Sequence, residues 1–198
     1  SSEAADEGTL AHKLSEKLIL FSLKEINKAT FLHQFELIKK SKHYSSAMLE
    51  YCEQYRDFVL TQYNEALSKA DNVFIFLEEI VNLNTYAPKS FGTCDSKIVA
   101  DKDLYITDLK FGKGVEVSAE ENEQLMLYGL GILEEYEMLF DIETVHLTIF
   151  QPRIDNYSTY SIKAKDLVAW GNTYVKKQAV LAYAGKGKLV AGDHCKFC

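Results

Sequence analysis

The sequence predicts an α/β (or α+β) domain in which a mixed β-sheet is flanked by helices and preceded by an inserted helical region. Two patterns support this prediction. Residues 9–70 carry apolar side chains at helical spacing, whereas residues 73–162 alternate short β-branched or aromatic segments with one amphipathic helix. A length of 198 residues suits one domain with a sizeable core, so we predict a single domain over residues 1–198.

The helical region begins with an apolar face that predicts a helix from Thr9 to about Lys28. The members of this face lie three or four residues apart: Leu10, Leu14, Leu18 and Phe21. Residues 30–70 contain no proline or glycine and predict one or two further helices, the second from Ser45 to Lys69. Asp71 and Asn72 then interrupt the helical pattern.

The period of the apolar pattern changes at residue 73, where strands are expected to begin. We predict three of them, separated by the turns at residues 86–90 and 100–103: Val73–Val81, Gly92–Val99 and Leu104–Phe111. The last of these strands is expected to end at the glycine-rich segment of residues 112–114.

The strongest helical pattern lies between Ser118 and Glu137, where Ser118 and Glu121 have the spacing of a capping box. Two more strands, Val145–Gln151 and Tyr157–Ile162, and a helix over Ala164–Tyr183 complete the expected order. The C-terminal segment, residues 164–198, therefore combines a helix with a cysteine-containing tail.

The charge distribution is uneven. The net charge is −7, but residues 151–198 hold eight Lys or Arg against three Asp, so they sum to +5 and the first 150 residues to −12. This basic C-terminal segment is compatible with a phosphate-binding face, although the charge alone favours ordinary solvated surface lysines. Because the sequence has neither a membrane-length apolar run nor a signal-peptide pattern, we expect a cytoplasmic protein without a membrane partner.

Two carboxylates on neighbouring predicted strands suggest chemistry. If the strands form a hairpin, Asp95 and Asp108 converge at one end of the sheet, and two such oxygen ligands suit Mg²⁺ or Mn²⁺. Lys110 shares a strand face with Asp108, and the backbone carbonyl of Leu109 offers a further ligand. A cation beside a lysine is suited to phosphodiester hydrolysis, because the cation activates water and the ammonium stabilises developing charge.

Two helical motifs accompany this hairpin. Gly8 and His12 form a G-x-x-x-H pattern on the opening helix, and Gln124 and Tyr128 lie four residues apart on one face of a later helix. Taken alone, His12 is more often an exposed helix residue than a metal ligand, and Gln124 and Tyr128 are ordinary amphipathic positions.

In this order, the four motifs resemble the RecB-like branch of the PD-(D/E)XK nucleases. That branch includes the CRISPR-associated RecB-type exonucleases, and its pattern is G-x-x-x-H, G-x-x-D, D/E-x-K and Q-x-x-x-Y. The phrases at residues 106–114, 124–131, 148–155 and 192–198 also look like an uncharacterised phage and prophage family described as RecB-like.

The resemblance implies a restriction-endonuclease-like fold and a DNA nuclease, most often an exonuclease, that acts in phage DNA processing or recombination. It implies His12, Asp95 and Asp108 as metal ligands and Lys110 as the catalytic lysine, with Gln124 and Tyr128 supporting the site or contacting DNA. The expected partners are single-stranded DNA or duplex ends and phage recombination proteins. The alternative is an inactive nuclease-fold protein that binds DNA or assists assembly.

Basic residues near the expected site are candidate DNA contacts: Lys113, Arg153, Lys163 and Lys165. The last three are interleaved with aromatic residues that are expected either to stack on bases or to pack in the core, with the core favoured for Trp170.

The cysteines raise a second metal question. Cys195 and Cys198 form a terminal C-x-x-C after His194, which is one ligand short of a closed zinc site. Iron–sulfur relatives in the branch hold a 4Fe-4S cluster with one upstream cysteine and three terminal ones, so this sequence has an incomplete set. A third alternative for the function is therefore a protein-interaction module that a metal ion bound at the C-terminal C-x-x-C stabilises. Cys52 is expected to be a buried small residue.

Overall fold

The structure is a computed structural model and describes residues 3–188 and 190–192. It contains a five-stranded mixed sheet in which the strands follow one another in chain order. These strands are β1 (Val73–Asn82), β2 (Phe91–Ala100), β3 (Asp103–Leu109), β4 (Thr144–Gln151) and β5 (Asn156–Lys163). Only β3 and β4 run parallel within this sheet, and the other neighbours are antiparallel.

The α/β prediction is thereby confirmed at the level of a mixed sheet flanked by helices. Three helices precede the sheet: α1 (Glu3–Ser22), α2 (Lys28–Lys39) and α3 (Ser46–Lys69). After β3 come α4 (Glu123–Tyr136) and, beyond β5, α5 (Ala164–Trp170), a π-helical turn (Gly171–Val175) and α6 (Lys176–Tyr183). A single 3₁₀ turn, Pro152–Ile154, joins β4 to β5.

The helices form two layers, one on each face of the sheet. On one face, α1 and α3 place Ile19, Tyr55 and Val59 against Leu109 and Phe150 of the sheet. On the other face, α4 and α5 pack against the sheet and form a second core with it. This core includes Leu130, Leu167, Ile106, Val145 and Leu147. Successive side chains of a strand point to opposite faces, so β3 contributes to both cores.

Several boundaries differ from the sequence prediction, most of them by one or two residues and those of α1 and α4 by more. The first helix ends at Ser22 rather than near Lys28, because Lys24 has a φ of 63° and the side chain of Asn27 caps a new helix by accepting from the Thr30 amide. Strand β3 ends at Leu109 rather than Phe111. Helix α1 begins at Glu3, where Glu3 and Asp6 place negative charge in the first turn.

The predicted capping box at Ser118 and Glu121 was wrong. The hydroxyl of Ser118 accepts from the Glu120 amide within a turn, and Glu121 has a φ of 50°, which no α-helix accommodates. Helix α4 instead begins at Glu123, and its N-cap is Asn122, whose side chain accepts from the Leu125 amide.

Among the helices within residues 3–188, none has the length and apolar character needed to cross a bilayer.

Candidate metal centre

Strands β2 and β3 bring Asp95 and Asp108 to the same cleft. The ladder ends at the pair Ser96 and Thr107, so the next positions, Asp95 and Asp108, face each other just beyond it. One carboxylate oxygen of Asp95, Oδ2, accepts a hydrogen bond of 2.7 Å from the backbone amide of Leu109. Both carboxylates line a cleft of about 390 Å³, as the hairpin prediction requires.

Asp108 is buried, with 5% of its surface exposed. Burial and, to a smaller extent, the charge of Asp95 raise its pKa to about 6 against the opposing effects of Lys110 and His12. The Lys110 ammonium contacts both of its carboxylate oxygens, at 3.2 Å from Oδ1 and 3.0 Å from Oδ2. A buried carboxylate near a second carboxylate gains from a further cation, because burial removes the water that would otherwise solvate the charge.

Lys110 is held in the cleft from two sides. Its ammonium donates to Asp108 Oδ1 at 3.2 Å and to the side-chain oxygen of Gln124 at 3.1 Å. The amide nitrogen of Gln124 in turn donates to the Tyr128 hydroxyl at 3.0 Å, so one turn of α4 orients the lysine. Lys110, Gln124 and Tyr128 therefore form one chain of contacts that ends at Asp108.

Gly92 explains why the Tyr128 ring can lie so close to β2. A Cβ atom added at this position would collide with the ring and hydroxyl of Tyr128. The glycine of the G-x-x-D motif is therefore a packing requirement for the tyrosine of the helical motif, and it links two motifs that lie far apart in the sequence.

His12 lies on α1 and faces two carboxylates. Its Nδ1 atom is 3.3 Å from Asp95 Oδ1 and 3.4 Å from Glu78 Oε1. Burial alone would lower the pKa of His12, but the hydrogen bonds and charges of Asp95 and Glu78 overcome this and raise it to about 10. Two carboxylates thus converge on one ring nitrogen.

Glu78 is the site residue that the sequence analysis missed. It lies in β1, between the paired residues Leu77 and Glu79, directly across from Asp95. Its φ of 52° interrupts the ladder at this position. The available signal was the Glu78–Glu79 pair inside an otherwise apolar strand, but the pattern alone could not show which of the two faced the cleft.

The donor set fits a divalent cation. Ligand atoms of His12, Glu78 and Asp95 lie within 4.8 Å of one another, and this is the only such group of His, Cys, Asp or Glu found among the described residues. Asp108 lies beside it in the same cleft as His12 and Asp95. An imidazole combined with carboxylates suits Mn²⁺, and the carboxylates also suit Mg²⁺.

The candidate DNA contacts are scattered. Lys113 is exposed in the segment that lines the cleft between β3 and α4. The side chain of Arg153 is 13% exposed and forms an ion pair of 2.6 Å with Glu7. Lys163 pairs with Thr144 at the far end of β4 and β5, and Lys165 follows it on α5, so neither adjoins the carboxylates.

The terminal cysteines lie outside the described residues, as does His194, so the zinc and 4Fe-4S alternatives stay predictions. Cys52 and Cys94 are both free thiols and are buried. They belong to different cores, since Cys52 packs among α1, α2 and α3 and Cys94 packs on the side of α4. The expectation that Cys52 is a buried small residue is confirmed.

A second buried charge lies on β2, two residues from Asp95. Lys97 is fully buried, and its ammonium lies 3.0 Å from Glu79 and 3.1 Å from Glu135. The same ammonium is 4.9 Å from the ring centroid of Phe76 and 5.1 Å from that of Tyr136. We call these five residues the lysine cluster; it ties β1, β2 and α4 together.

Comparison with known proteins identifies a family without an assigned activity. A family model described as "Protein of unknown function (DUF2800)" matches residues 1–198, so the chain belongs to that family. Among solved structures, the crystal structure of SSO0001 is similar at 14% identity, over 93% of this chain and 91% of that chain, with a TM-score of 0.29. A TM-score this low supports no conclusion about a shared fold or activity.

Proposed function

We propose that this member of the DUF2800 family is a metal-dependent nuclease that hydrolyses DNA phosphodiester bonds. In this proposal the sheet and α4 form a restriction-endonuclease-like core of the PD-(D/E)XK type, in its RecB-like branch. The observation that carries the proposal is the contact of the Lys110 ammonium with buried Asp108, in a cleft shared with Asp95 and His12.

The ligands for the cation would be His12, Asp95, Asp108 and the Leu109 carbonyl, with Glu78 beside them. A divalent cation bound there would supply Lewis-acid chemistry, by activating water and neutralising charge on the phosphate. The burial of Asp108 beside a second carboxylate supports this assignment, because one ammonium does not neutralise the two charges and a cation bound between them would.

Lys110 would act on the substrate directly. Its ammonium lies at the mouth of the carboxylate pair, where it would orient the attacking water and stabilise charge developing on the phosphoryl oxygens. Gln124 would hold the lysine at this position, and Tyr128 would hold Gln124. These two residues would therefore position the lysine rather than touch the reacting atoms.

A cleavage assay tests the proposal. Labelled single-stranded and duplex DNA, linear and circular, is incubated with the protein and Mg²⁺ or Mn²⁺, and then with EDTA. We expect cleavage that requires the cation. Lys110→Ala should reduce the rate at least about a hundredfold, because it removes a charge that acts in the transition state.

Lys102→Ala is the matched control, since Lys102 is an exposed lysine in the turn between β2 and β3 that pairs with Asp141 and Glu143. It should cleave like the wild type. Equal cleavage by all three proteins would indicate a contaminant, and no cleavage of any substrate would favour the inactive DNA-binding or assembly alternative.

A further inference from the structure

The segment between β3 and α4 has an unusual support. Residues 112–117 form no helix or strand, and several of them line the cleft that holds Asp95, Asp108 and Lys110. Irregular backbone beside a site needs hydrogen-bond partners to hold one conformation. In this segment the partners come largely from side chains at the end of β4 and the start of β5.

Gln151 supplies most of these hydrogen bonds from a position that is 2% exposed. Its amide nitrogen donates to the carbonyls of Gly112 at 3.2 Å and Val115 at 2.9 Å. Its amide oxygen accepts from the Val117 backbone amide at 3.2 Å and from Asn156 at 3.0 Å. The side chain of Gln151 therefore makes four hydrogen bonds, which is its full capacity, and three of them go to the segment.

Neighbouring side chains of β5 extend the support. Asn156 also donates to the Val117 carbonyl at 2.8 Å, and the hydroxyl of Ser158 accepts from the Ala119 amide at 2.9 Å. These hydrogen bonds hold the segment from the side of β4 and β5, and Lys113 and Val115 lie exposed on it.

From these contacts we infer that Gln151 is a positioning residue that fixes residues 112–117 as a wall of the cleft, so that Lys113 contacts a backbone phosphate of the nucleic-acid strand. The inference rests on the proposed nuclease function. It assigns a role to a side chain that belongs to none of the four motifs. A buried amide with four hydrogen bonds is well suited to this, because losing any of them leaves a buried polar group unsatisfied.

The first test measures the segment itself and needs no catalysis. Hydrogen exchange is followed by mass spectrometry in the wild type, Gln151→Ala and Gln151→Met. Methionine keeps the length of the side chain but makes none of its amide hydrogen bonds. We expect both variants to exchange at least about tenfold faster over residues 112–119 and unchanged in α3. Unchanged exchange in residues 112–119 would overturn the inference.

The second test measures strand affinity in a Lys110→Ala background, so that no cleavage is needed. Binding of a fluorescent single-stranded oligonucleotide is measured by anisotropy in Ca²⁺. Gln151→Ala and Gln151→Met should each weaken binding about tenfold, and Lys113→Ala by a similar factor. Gln62→Ala is the matched control, because Gln62 is a half-buried amide that bonds to Thr107 and lies away from the segment.

A double variant separates positioning from simple destabilisation. If Gln151 acts by placing Lys113, the double variant Gln151→Ala with Lys113→Ala should bind no more weakly than either single variant. Additive losses, or restoration of binding by Gln151→Met, would overturn the inference. Absence of cleavage with these binding results intact would reject the nuclease proposal alone, whereas a wild type that binds no strand would reject the inference as well.

Discussion

Two charge groups lie side by side on strands β1 and β2, and they differ in which of their charged side chains are buried. In the lysine cluster, one buried ammonium meets two carboxylates and two aromatic rings, and the side chains of Glu79 and Glu135 are 42% and 49% exposed. In the second group, which we call the metal cleft (His12, Glu78, Asp95, Asp108 and Lys110), three carboxylates share two cationic groups, and the side chains of Asp95 and Asp108 are only 10% and 7% exposed.

This difference in burial gives the lysine cluster and the metal cleft different expected roles. Adjacent residues of β1, Glu78 and Glu79, supply a carboxylate to each group. Each group carries one more negative than positive charge. In the lysine cluster the negative charges lie on half-exposed carboxylates, which water solvates, so the group needs no further cation. In the metal cleft Asp95 and Asp108 are buried, so the excess charge is unfavourable there and gains from a bound cation. Strands β1 and β2 therefore carry both a group that stabilises the fold and a candidate reaction site.

The largest effect on folding is expected in the lysine cluster. Lys97→Ala removes a buried side chain, its two ion pairs and its contacts with Phe76 and Tyr136, and should lower the free energy of unfolding by about 3 kcal/mol. Urea denaturation measures it. Lys97→Met, which keeps the packing, should cost about half as much. A loss below about 0.5 kcal/mol for Lys97→Ala would remove the structural role from this cluster.

The next effect separates the two groups by cation binding. Asp95→Ala should weaken Mn²⁺ binding about a hundredfold, which corresponds to about 2.7 kcal/mol, because a ligand carboxylate is lost. Glu79→Ala, the matched carboxylate of the lysine cluster, should bind Mn²⁺ like the wild type. Isothermal titration calorimetry measures both constants, and an equal loss in the two variants would erase the proposed distinction.

A stability gain is expected from Asp108→Asn in the absence of cations. Burial and Asp95 raise the pKa of Asp108 to about 6, so the fold disfavours its ionised form. This penalty is absent below the unfolded pKa and complete above pH 6. Asp108→Asn should therefore raise the free energy of unfolding by about 2 kcal/mol at pH 7.5 in EDTA, and by almost nothing at pH 3.5. A destabilised variant at pH 7.5 would contradict this electrostatic assignment.

The smallest effect concerns His12. Asp95 and Glu78 overcome the opposing effect of burial and raise its pKa to about 10, so protonated His12 stabilises the cation-free fold below the unfolded pKa near 6.5, and this contribution is lost as pH rises through 10. His12→Ala should cost about 1 kcal/mol at pH 6 in EDTA and less at pH 9.5. Denaturation curves at the two pH values compare the costs, and a cost that grows with pH would reverse the expected sign.

Much of the fold followed from local patterns, and the failures have local causes. The apolar periods of residues 9–70 and 73–162 predicted helices followed by strands, because burial of one face imposes those periods. The boundary at Ser118 failed because two residues, Ser118 and Asn122, both have side chains able to cap a helix. The left-handed conformation of Glu121 favours Asn122 as the N-cap, and a glutamate in the sequence does not indicate this conformation.

The site residues that belong to sequence motifs were predictable. The residues that reach the site through the pairing of distant strands were not. Asp95, Asp108 and Lys110 were found from strand spacing, since a hairpin fixes which residues face each other. Glu78 was missed because its role depends on the register of β1, and Gln151 was missed because the segment it supports lies 34 or more residues away in the sequence. Lys97 was missed because a single lysine in a strand does not reveal its burial.

The most direct measurement is a crystal structure of the wild-type protein grown with Mn²⁺, with diffraction recorded at the manganese absorption edge. Our account predicts an anomalous peak in the metal cleft, bound by Asp95 and Asp108 with His12 or the Leu109 carbonyl, and lost in crystals of Asp108→Asn. A peak found only elsewhere, or none in the cleft at millimolar Mn²⁺, would contradict the proposed metal centre and the nuclease function that depends on it.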